Sequence, residues 1–498
     1  MMEIAVIGAG YVGLTTAACL AEAGHAVFCA ESRSDKLAAL KSGQMPLFEP
    51  YLTDLVAKNR DLSRLQFGST EEAVSACEIL FICVGTPLTS TGEVDVSAIE
   101  NVARTISQTA HGYRLIVQKS TVPVGSCSSL HELLARNRPA GNGSTPFRWD
   151  VIANPEFLRE GSAVKDFLHP DRIVIGVDSP TTAETLKRVY DPILRRQFAC
   201  PIHGAQHDDE PPVPFVVADT RTAELIKHTA NSFLAMKVSF INMVADLCEA
   251  AEGDIEKVIE GIGLDHRIGP AFLKPGIGFG GSCFPKDVQG FIQVAEKFGC
   301  DFSLLQEVER INVERVDRLL AKVKDELGDL RGKRIGAWGL AFKPDTDDIR
   351  NSPAVAIVRC LLAEGAKVRV YDPQAMDKAK TEIPNAIFCS DAYDAAAGAE
   401  ALLALTAWDE FLNADLARVR ADMLRPLIFD GRNMFPEERL VALGFIQSRI
   451  GRACLTPGTE PKSVAAASGR QVLNGGGQRP EVAAIESDPS GDAQRVYG

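Results

Sequence analysis

Short runs of Val, Ile and Leu alternate with amphipathic stretches from Ile4 to Gly176, and IAVIG, AVFCAE, EILFICVG, RLIVQKS, DVIANP and RIVIGV are the strand candidates. Strands this apolar are buried on both faces, so the alternation predicts a parallel sheet covered by helices. Between Cys200 and Asp219 the sequence PIHGAQHDDEPPVPFVVAD breaks the pattern with prolines and charges and predicts a loop or linker. From Thr222 the pattern becomes that of one long helix. Ile226, Ala230, Phe233, Phe240, Val244 and Leu247 recur near helical spacing, and no Gly or Pro intervenes before Gly253. Such a helix can connect two domains and pair with a second subunit.

At Lys333 the run KRIGAWGLAF returns to a strand and turn. AACLAEAGHAVFCAE near the start and VRCLLAEGAKVRVYDP in this later block share one plan: helix, Gly, then a strand ending in an acidic residue. The predicted fold is therefore α/β, with two Rossmann-like doubly wound parallel-sheet domains joined by a long central helix and a helical dimerisation region. The expected boundaries are 1–212 for a dinucleotide-binding domain, 213–317 for the helical middle and 318–453 for the second Rossmann-like domain. Residues 454–498 are rich in Gly, Pro and Ser without periodicity, which predicts a disordered tail.

Composition narrows the function classes. A chain of 498 residues with 46% apolar side chains is too long for one core. A formal charge of -13 disfavours nucleic acid and anionic membranes as partners, and a bound phosphate must be met by a local pocket of cations and amides. No apolar run approaches the roughly 20 residues of a membrane span, and MMEIAVIGAG runs directly into a strand; both lead to the expectation of a cytoplasmic protein. The 12 cysteines show no C-x-x-C pair and no zinc spacing, so no metal site is expected.

Gly8, Gly10 and Gly13 form GAGYVG between a strand and a helix, the context in which this spacing indicates a dinucleotide. Gly8 permits the tight turn, Gly10 the approach of the pyrophosphate and Gly13 close helix packing, while the helix start offers free amides. Glu31, about 20 residues further on, ends the next strand, where a carboxylate binds the ribose hydroxyls of NAD and repels the extra phosphate of NADP. Arg33 beside it would instead suit NADP.

Lys274 to Asp287 read KPGIGFGGSCFPKD. Gly276, Gly278, Gly280 and Gly281 allow the backbone to lie close against a ligand, and Cys283 emerges beside Lys286 and Asp287, a setting that predicts an activated thiolate. A redox cofactor and a nucleophilic thiol together imply an alcohol oxidised to an aldehyde, capture of the aldehyde as a thiohemiacetal, a second hydride loss, and hydrolysis of the thioester. A cysteine protease is the weaker reading, since no His lies near Cys283 in sequence.

GAGYVG, VGTP (Val84 to Pro87), STVPVG (Ser120 to Gly125), NPEFLREG (Asn154 to Gly161), GFGGSCFPKD and GLAFKPDTDDIRNSPA (from Gly339) occur in this order, and from Ile4 to Gly451 the chain resembles the UDP-glucose/GDP-mannose dehydrogenase family. The resemblance implies an NAD-dependent oxidoreductase that oxidises the primary alcohol of a nucleotide sugar, by preference a UDP-sugar, twice to a carboxylate. It implies Cys283 as nucleophile, Lys227 and Asn231 as oxyanion donors, Asp287 and Thr121 as the groups around a water, Glu160 as a further acid or base, and Glu156 in support. NAD contacts are implied for Gly8, Gly10, Tyr11, Val12, Gly13, Glu31, Lys36, Thr86, Thr121, Glu160, Lys286 and Arg350. UDP-sugar contacts are implied for Glu156, Phe157, Leu158, Lys227, Asn231, Phe272, Lys274, Phe279, Gly280, Cys283, Phe342 and Lys343, with Arg267 offered from a neighbouring subunit of a homodimer.

Three departures stand out: Glu31 where the family more often has Asp, an insertion at His203 to Pro214, and Asn242-Met243 where Asn-Glu is expected. His203 and His207, with Asp208 and Asp209, would be the only metal candidates, and a solvated loop is the expected reading. Oxidation of GDP-mannose or a UDP-N-acetylhexosamine, a catalytically silent sensor of NAD and nucleotide sugar, and a single-step hydroxyacid dehydrogenase remain the alternatives.

Overall fold

The computed structural model describes residues 1–137, 147–198, 200–202 and 211–452. The expected tail at 454–498 and the candidate metal residues His203, His207, Asp208 and Asp209 lie outside the described residues. The first sheet contains β1 (Glu3–Ile7), β2 (Ala26–Ala30), β3 (Leu65–Gly68), β4 (Ile79–Ile82), β5 (Tyr113–Gln118), β6 (Arg148–Ala153), β7 (Ile173–Gly176) and β8 (Phe215–Ala218). Its order is β3-β2-β1-β4-β5-β6-β7-β8. The strand order reverses at β1, so a crevice opens beyond the carboxyl ends of β1 and β4, where doubly wound sheets bind ligands. Burial on both faces explains the unbroken apolar run of β1: Ile4 and Val6 enter the core on one side, Ala5 and Ile7 that on the other.

Two features of this sheet correct the sequence reading. β7 meets β6 antiparallel, at Ala153 opposite Gly176. The connection there is taken up by the NPEFLREG loop and the short helix Ala163–Leu168, too little to carry a crossover back along the sheet. The stretch read as a loop or linker up to Asp219 contains β8. That strand sits at the sheet edge behind three prolines, with Val216 and Val217 exposed, so it lacks the buried signature of its neighbours.

The second sheet contains β9 (Arg334–Trp338), β10 (Lys367–Tyr371), β11 (Ile387–Phe388), β12 (Ala401–Ala404), β13 (Leu427–Asp430) and β14 (Ile446–Arg449), in the order β11-β10-β9-β12-β13-β14. All its pairings are parallel. The plan shared by the two halves is present: helix Tyr11–Glu22 leads into β2, and helix Pro353–Ala363 into β10. The acidic residues that follow serve different ends. Asp372 accepts the amides of Leu340, Ala341, Gln374 and Ala375 and the Trp408 indole N–H. Its carboxylate is consumed in holding the turn after β9, whereas Glu31 is held by its own chain neighbours, the Arg33 amide and the Lys36 ammonium.

The helix Thr220–Ala250 joins the two halves, started by the Asp219 side chain, which accepts from Thr222 N–H. Its fully buried residues are not the six apolar ones whose recurrence marks the helix in the sequence. Ala223, Glu224, Lys227, His228, Asn231, Ser232, Ala235, Ser239, Asn242 and Ala245 point inward, while Phe233, Phe240 and Leu247 are 56%, 57% and 66% exposed. Mostly small and polar side chains face the interior, with Ile241 among them, and Phe233, Phe240 and Leu247 are left outside at every seventh position. No described helix is long and apolar enough to cross a membrane.

Candidate active site

The dinucleotide turn lies at the carboxyl end of β1. A side chain at Gly13 would collide with the Gly8 carbonyl, and one at Gly8, whose φ is +103°, with the Cys83 carbonyl. Gly10, by contrast, has open space around it and starts the helix Tyr11–Glu22 without any side-chain cap. The first-turn amides, including those of Val12 and its neighbours, are thus free for phosphate oxygens, which fits a bound NAD pyrophosphate. At the end of β2 the Glu31 carboxylate accepts from the Arg33 amide at 3.0 Å and pairs with Lys36 at 3.0 Å. Burial raises its affinity for protons, but these donors outweigh it and hold the carboxyl below its ordinary value. The Arg33 side chain turns to solvent and pairs with Asp35, so it does not make the phosphate contact that NADP would require.

The long helix aims two of its buried polar residues at Cys283. Lys227 donates to Glu156 Oε1 at 3.0 Å, and Asn231 donates to Asp287 Oδ2 at 2.6 Å. Asp287 also receives Lys286 at 2.7 Å. Burial raises the Asp287 carboxyl while Lys286, Lys227 and His228 lower it, with a net downward shift. Lys227 is pulled down by burial and up by Glu156, Asp287 and Cys283, with a net upward shift that keeps it charged.

The surroundings of Cys283 favour the neutral thiol. Burial, then the Glu156 and Asp287 charges, push the thiol up to about 12 against the opposing pull of Lys227. Lys286, whose charge favoured a thiolate in the sequence, is instead spent on Asp287. Cys283 does stand at the N-cap position of helix Phe284–Lys297, without a capping side-chain bond, where partial positive charge favours an anion on sulfur.

Around the thiol opens a cavity of about 670 Å³, lined among others by Glu156, Phe157, Leu158, Asn231, Phe272 and Cys283. The glycine loop closes one side. Gly280 packs so tightly on the Asn351 carbonyl, and Gly281 on the Phe342 ring, that no Cβ fits at either place. Phe279 N–H donates to Asn312 Oδ1 at 2.7 Å, fixing the loop to the helix Ser303–Leu327. Toward the dinucleotide crevice, Glu160 Oε1 receives Ser282 Oγ at 2.9 Å and Arg350 at 3.3 Å. Burial and the neighbouring Asp348 hold the Glu160 carboxyl protonated well above the usual range. Thr86 Oγ1 donates to the Thr121 carbonyl at 2.8 Å. Tyr11 donates to Asp347, and burial lowers the proton affinity of Lys343 nearby in the same loop.

Arg267 and Lys274 stand outside this gathering. Arg267 is exposed and pairs with Asp265, and Lys274 is exposed on the approach to the loop. Four residues that the sequence reading did not single out belong to the site. Lys119 lines the cavity floor, donating to Asn154 at 3.2 Å and Tyr190 at 3.3 Å, with burial pushing it down to about 8. Arg172 lies over the Phe157 ring at 3.6 Å. Arg432, pushed down to about 10 by burial, donates to the carbonyls of Leu405, Gly278 and Phe342 with no carboxylate among those partners. Ser282 was visible inside the quoted motif, but a serine beside a cysteine gives no signal of its own.

Comparison with known proteins agrees with this layout. Models of the UDP-glucose/GDP-mannose dehydrogenase family match in three parts: the NAD binding domain at residues 2–194, the central domain at 221–314 and the UDP binding domain at 336–437. A UDP-glucose 6-dehydrogenase of Bacillus subtilis is 40% identical over 463 residues, 93% of this chain and 95% of that protein. One from Rhizobium meliloti is 41% identical over 456 residues, 91% of this chain and 100% of that protein. Among solved structures, a UDP-glucose dehydrogenase from the archaeon Pyrobaculum islandicum superposes with a TM-score of 0.78 at 35% identity, covering 87% of this chain and 95% of that one.

Proposed function

The chain belongs to the UDP-glucose/GDP-mannose dehydrogenase family, and from that premise we propose that it oxidises the primary alcohol of UDP-glucose twice, giving UDP-glucuronate. The observation that carries the reading is that Cys283 shares a cavity with Asn231 and Glu156, while Asp287 and Lys227, hydrogen-bonded to those two, lie close enough for their charges to act on the thiol. The substrate follows from the relatives, which are UDP-glucose 6-dehydrogenases over nearly their whole length. Incubating the protein with NAD and, separately, UDP-glucose, GDP-mannose and a UDP-N-acetylhexosamine tests it: NADH is expected with UDP-glucose, and NADH with GDP-mannose alone overturns the choice.

NAD, held by the Gly8 to Gly13 turn, Glu31 and Lys36, and flanked by Thr86, Thr121, Glu160, Lys286 and Arg350, supplies the hydride acceptor for both oxidations. Cys283 adds to the aldehyde carbon and gives a thiohemiacetal whose oxygen is held by Lys227 and Asn231 as negative charge develops on it. After the second oxidation the sugar carbon is a thioester on the same sulfur. Asp287 and Thr121 then orient the water that cleaves it, and the released thiolate regains a proton. Glu160, kept protonated by burial, serves as the proton reservoir on the dinucleotide side, and Glu156 keeps the Lys227 ammonium aimed into the cavity. Phe157, Leu158, Phe272, Phe279, Gly280, Phe342 and Lys343 surround the UDP-sugar, with Lys274 at the approach. Arg432, charged and enclosed without a carboxylate, suits its diphosphate.

With Arg33 turned away and Glu31 facing the ribose position, kcat/KM with NADP is expected to be lower than with NAD by on the order of 10²-fold. Steady-state kinetics with the two cofactors checks this, and equal efficiencies would show that Glu31 does not select.

We place this protein in a homodimer in the cytoplasm. The support for the dimer is the exposed row Phe233, Phe240 and Leu247, with Leu264 and Ile268 also exposed nearby. Lys237 ties the Arg267 loop to the same helix by donating to the Ile268 carbonyl at 2.9 Å. A second copy lying on this row would therefore bring its Arg267 toward the cavity mouth, which Phe233 lines. Phe240→Asp is expected to convert the dimer to monomer in sedimentation and to lower activity at dilute enzyme; an unchanged mass would exclude this face.

A further inference from the structure

The buried polar face of the helix Thr220–Ala250 does more than present Lys227 and Asn231. Glu224, Lys227, His228 and Asn231 are spaced i, i+3, i+4 and i+7 and form one stripe. Two of the four look into the thiol site, and the other two grip a different segment, the loop Thr121–Gly125 and the helix Ser126–Arg136 behind it. Glu224 Oε2 accepts the Gly125 amide at 2.5 Å and Oε1 the Cys127 amide at 2.9 Å. That helix has no side-chain cap of its own: Gly125 stands at its start with φ of +92°. The carboxylate from the neighbouring helix takes the place of a cap and meets the positive end of the dipole. His228 Nε2 lies 2.8 Å from the Val122 carbonyl. A carbonyl only accepts, so Nε2 carries the hydrogen. Burial keeps the ring from taking a second proton, and Phe291 stacks on it at 5.4 Å.

We propose that Glu224 and His228 are positioning residues that clamp the Thr121 loop to the helix turn carrying Lys227 and Asn231, so that the two halves of the hydrolytic site hold one register. The inference rests on the reaction proposed above. Thr121 and Lys227 line one small water-sized cavity, with Glu224 in its wall. A loop held only by its chain neighbours and Thr86 would let Thr121 drift relative to Asp287, and small misplacements at a reacting centre are costly in rate.

The test uses the full-length enzyme and three variants. His228→Phe keeps the stack on Phe291 and removes the N–H donor, His228→Gln keeps a donor near the same place, and Glu224→Gln leaves one good acceptor for two amides. His228→Phe is expected to lower kcat about tenfold with KM for UDP-glucose within about twofold, and His228→Gln to recover most of the loss. Amide exchange of the 121–127 segment is expected to quicken about tenfold in His228→Phe and Glu224→Gln, while the strand Arg334–Trp338 exchanges as in wild type. Exchange of the loop unchanged in both variants overturns the clamp, as does a His228→Gln enzyme as slow as His228→Phe. Absence of NADH from the wild type with UDP-glucose would count against the functional reading, and the exchange measurement would still decide the clamp.

Discussion

Cys283→Ser is expected to lower formation of the acid by on the order of 10³-fold or more, because the serine hydroxyl at this site neither ionises nor leaves as the cysteine sulfur does. The variant retains the dinucleotide turn, Lys227 and Asn231, so binding of both ligands survives and reaction stalls at a half-oxidised or covalent species. Mass spectrometry of the quenched variant checks for that species. The thiol, pushed up to about 12 by burial, must lose its proton before attack. The thiolate fraction grows as pH rises toward that value, so the wild-type rate for the thiol-dependent step is expected to climb through the neutral range, and the serine variant to lose that dependence. A serine enzyme that still makes UDP-glucuronate at the wild-type rate would remove Cys283 from the chemistry.

Lys227→Met is the second large effect. Lys227 and Glu156 are a buried ion pair, their side chains each 4% exposed, and removing one partner leaves the other enclosed without compensation. Such losses cost about 3–5 kcal/mol of stability. In the mechanism proposed above the same ammonium is the charged donor for the developing oxyanion, and loss of one such donor lowers kcat by on the order of 10²–10³-fold. Denaturant unfolding and single-turnover kinetics separate the two consequences. Adding Glu156→Gln to Lys227→Met is expected to restore much of the stability and none of the rate; recovery of rate would show that Lys227 acts only as a counter-ion.

The sequence made some of this legible for specific reasons. Gly8, Gly13 and Gly280 occupy places where backbone meets backbone and no other residue fits, so their spacing carried the site directly. The plan of helix, Gly and strand found in both halves held, yet pattern alone did not separate Glu31, held by its near neighbours Arg33 and Lys36, from Asp372, consumed by five donors. Helical periodicity located the long helix but carried no information on which face it buries. Its buried side mixes polar residues with Ala and Ile241, and Phe233, Phe240 and Leu247 face outward. Lys119, Arg172 and Arg432 were invisible because nothing local marks them; they join the site through strands and loops distant in sequence, and only the packing shows that Lys119 is buried, that Arg172 lies over Phe157 and that Arg432 holds the Gly278 and Phe342 carbonyls. The antiparallel β7 was likewise hidden, since an apolar run has no direction.

In the proposed reaction one sugar undergoes both oxidations in a single site, held on Cys283 from the aldehyde onward. Counting NADH formed per UDP-glucose consumed by the wild-type enzyme, with limiting sugar and excess NAD, tests it most directly. Two NADH per sugar with UDP-glucuronate as product is the expected result, and one NADH per sugar with a free aldehyde would contradict the account.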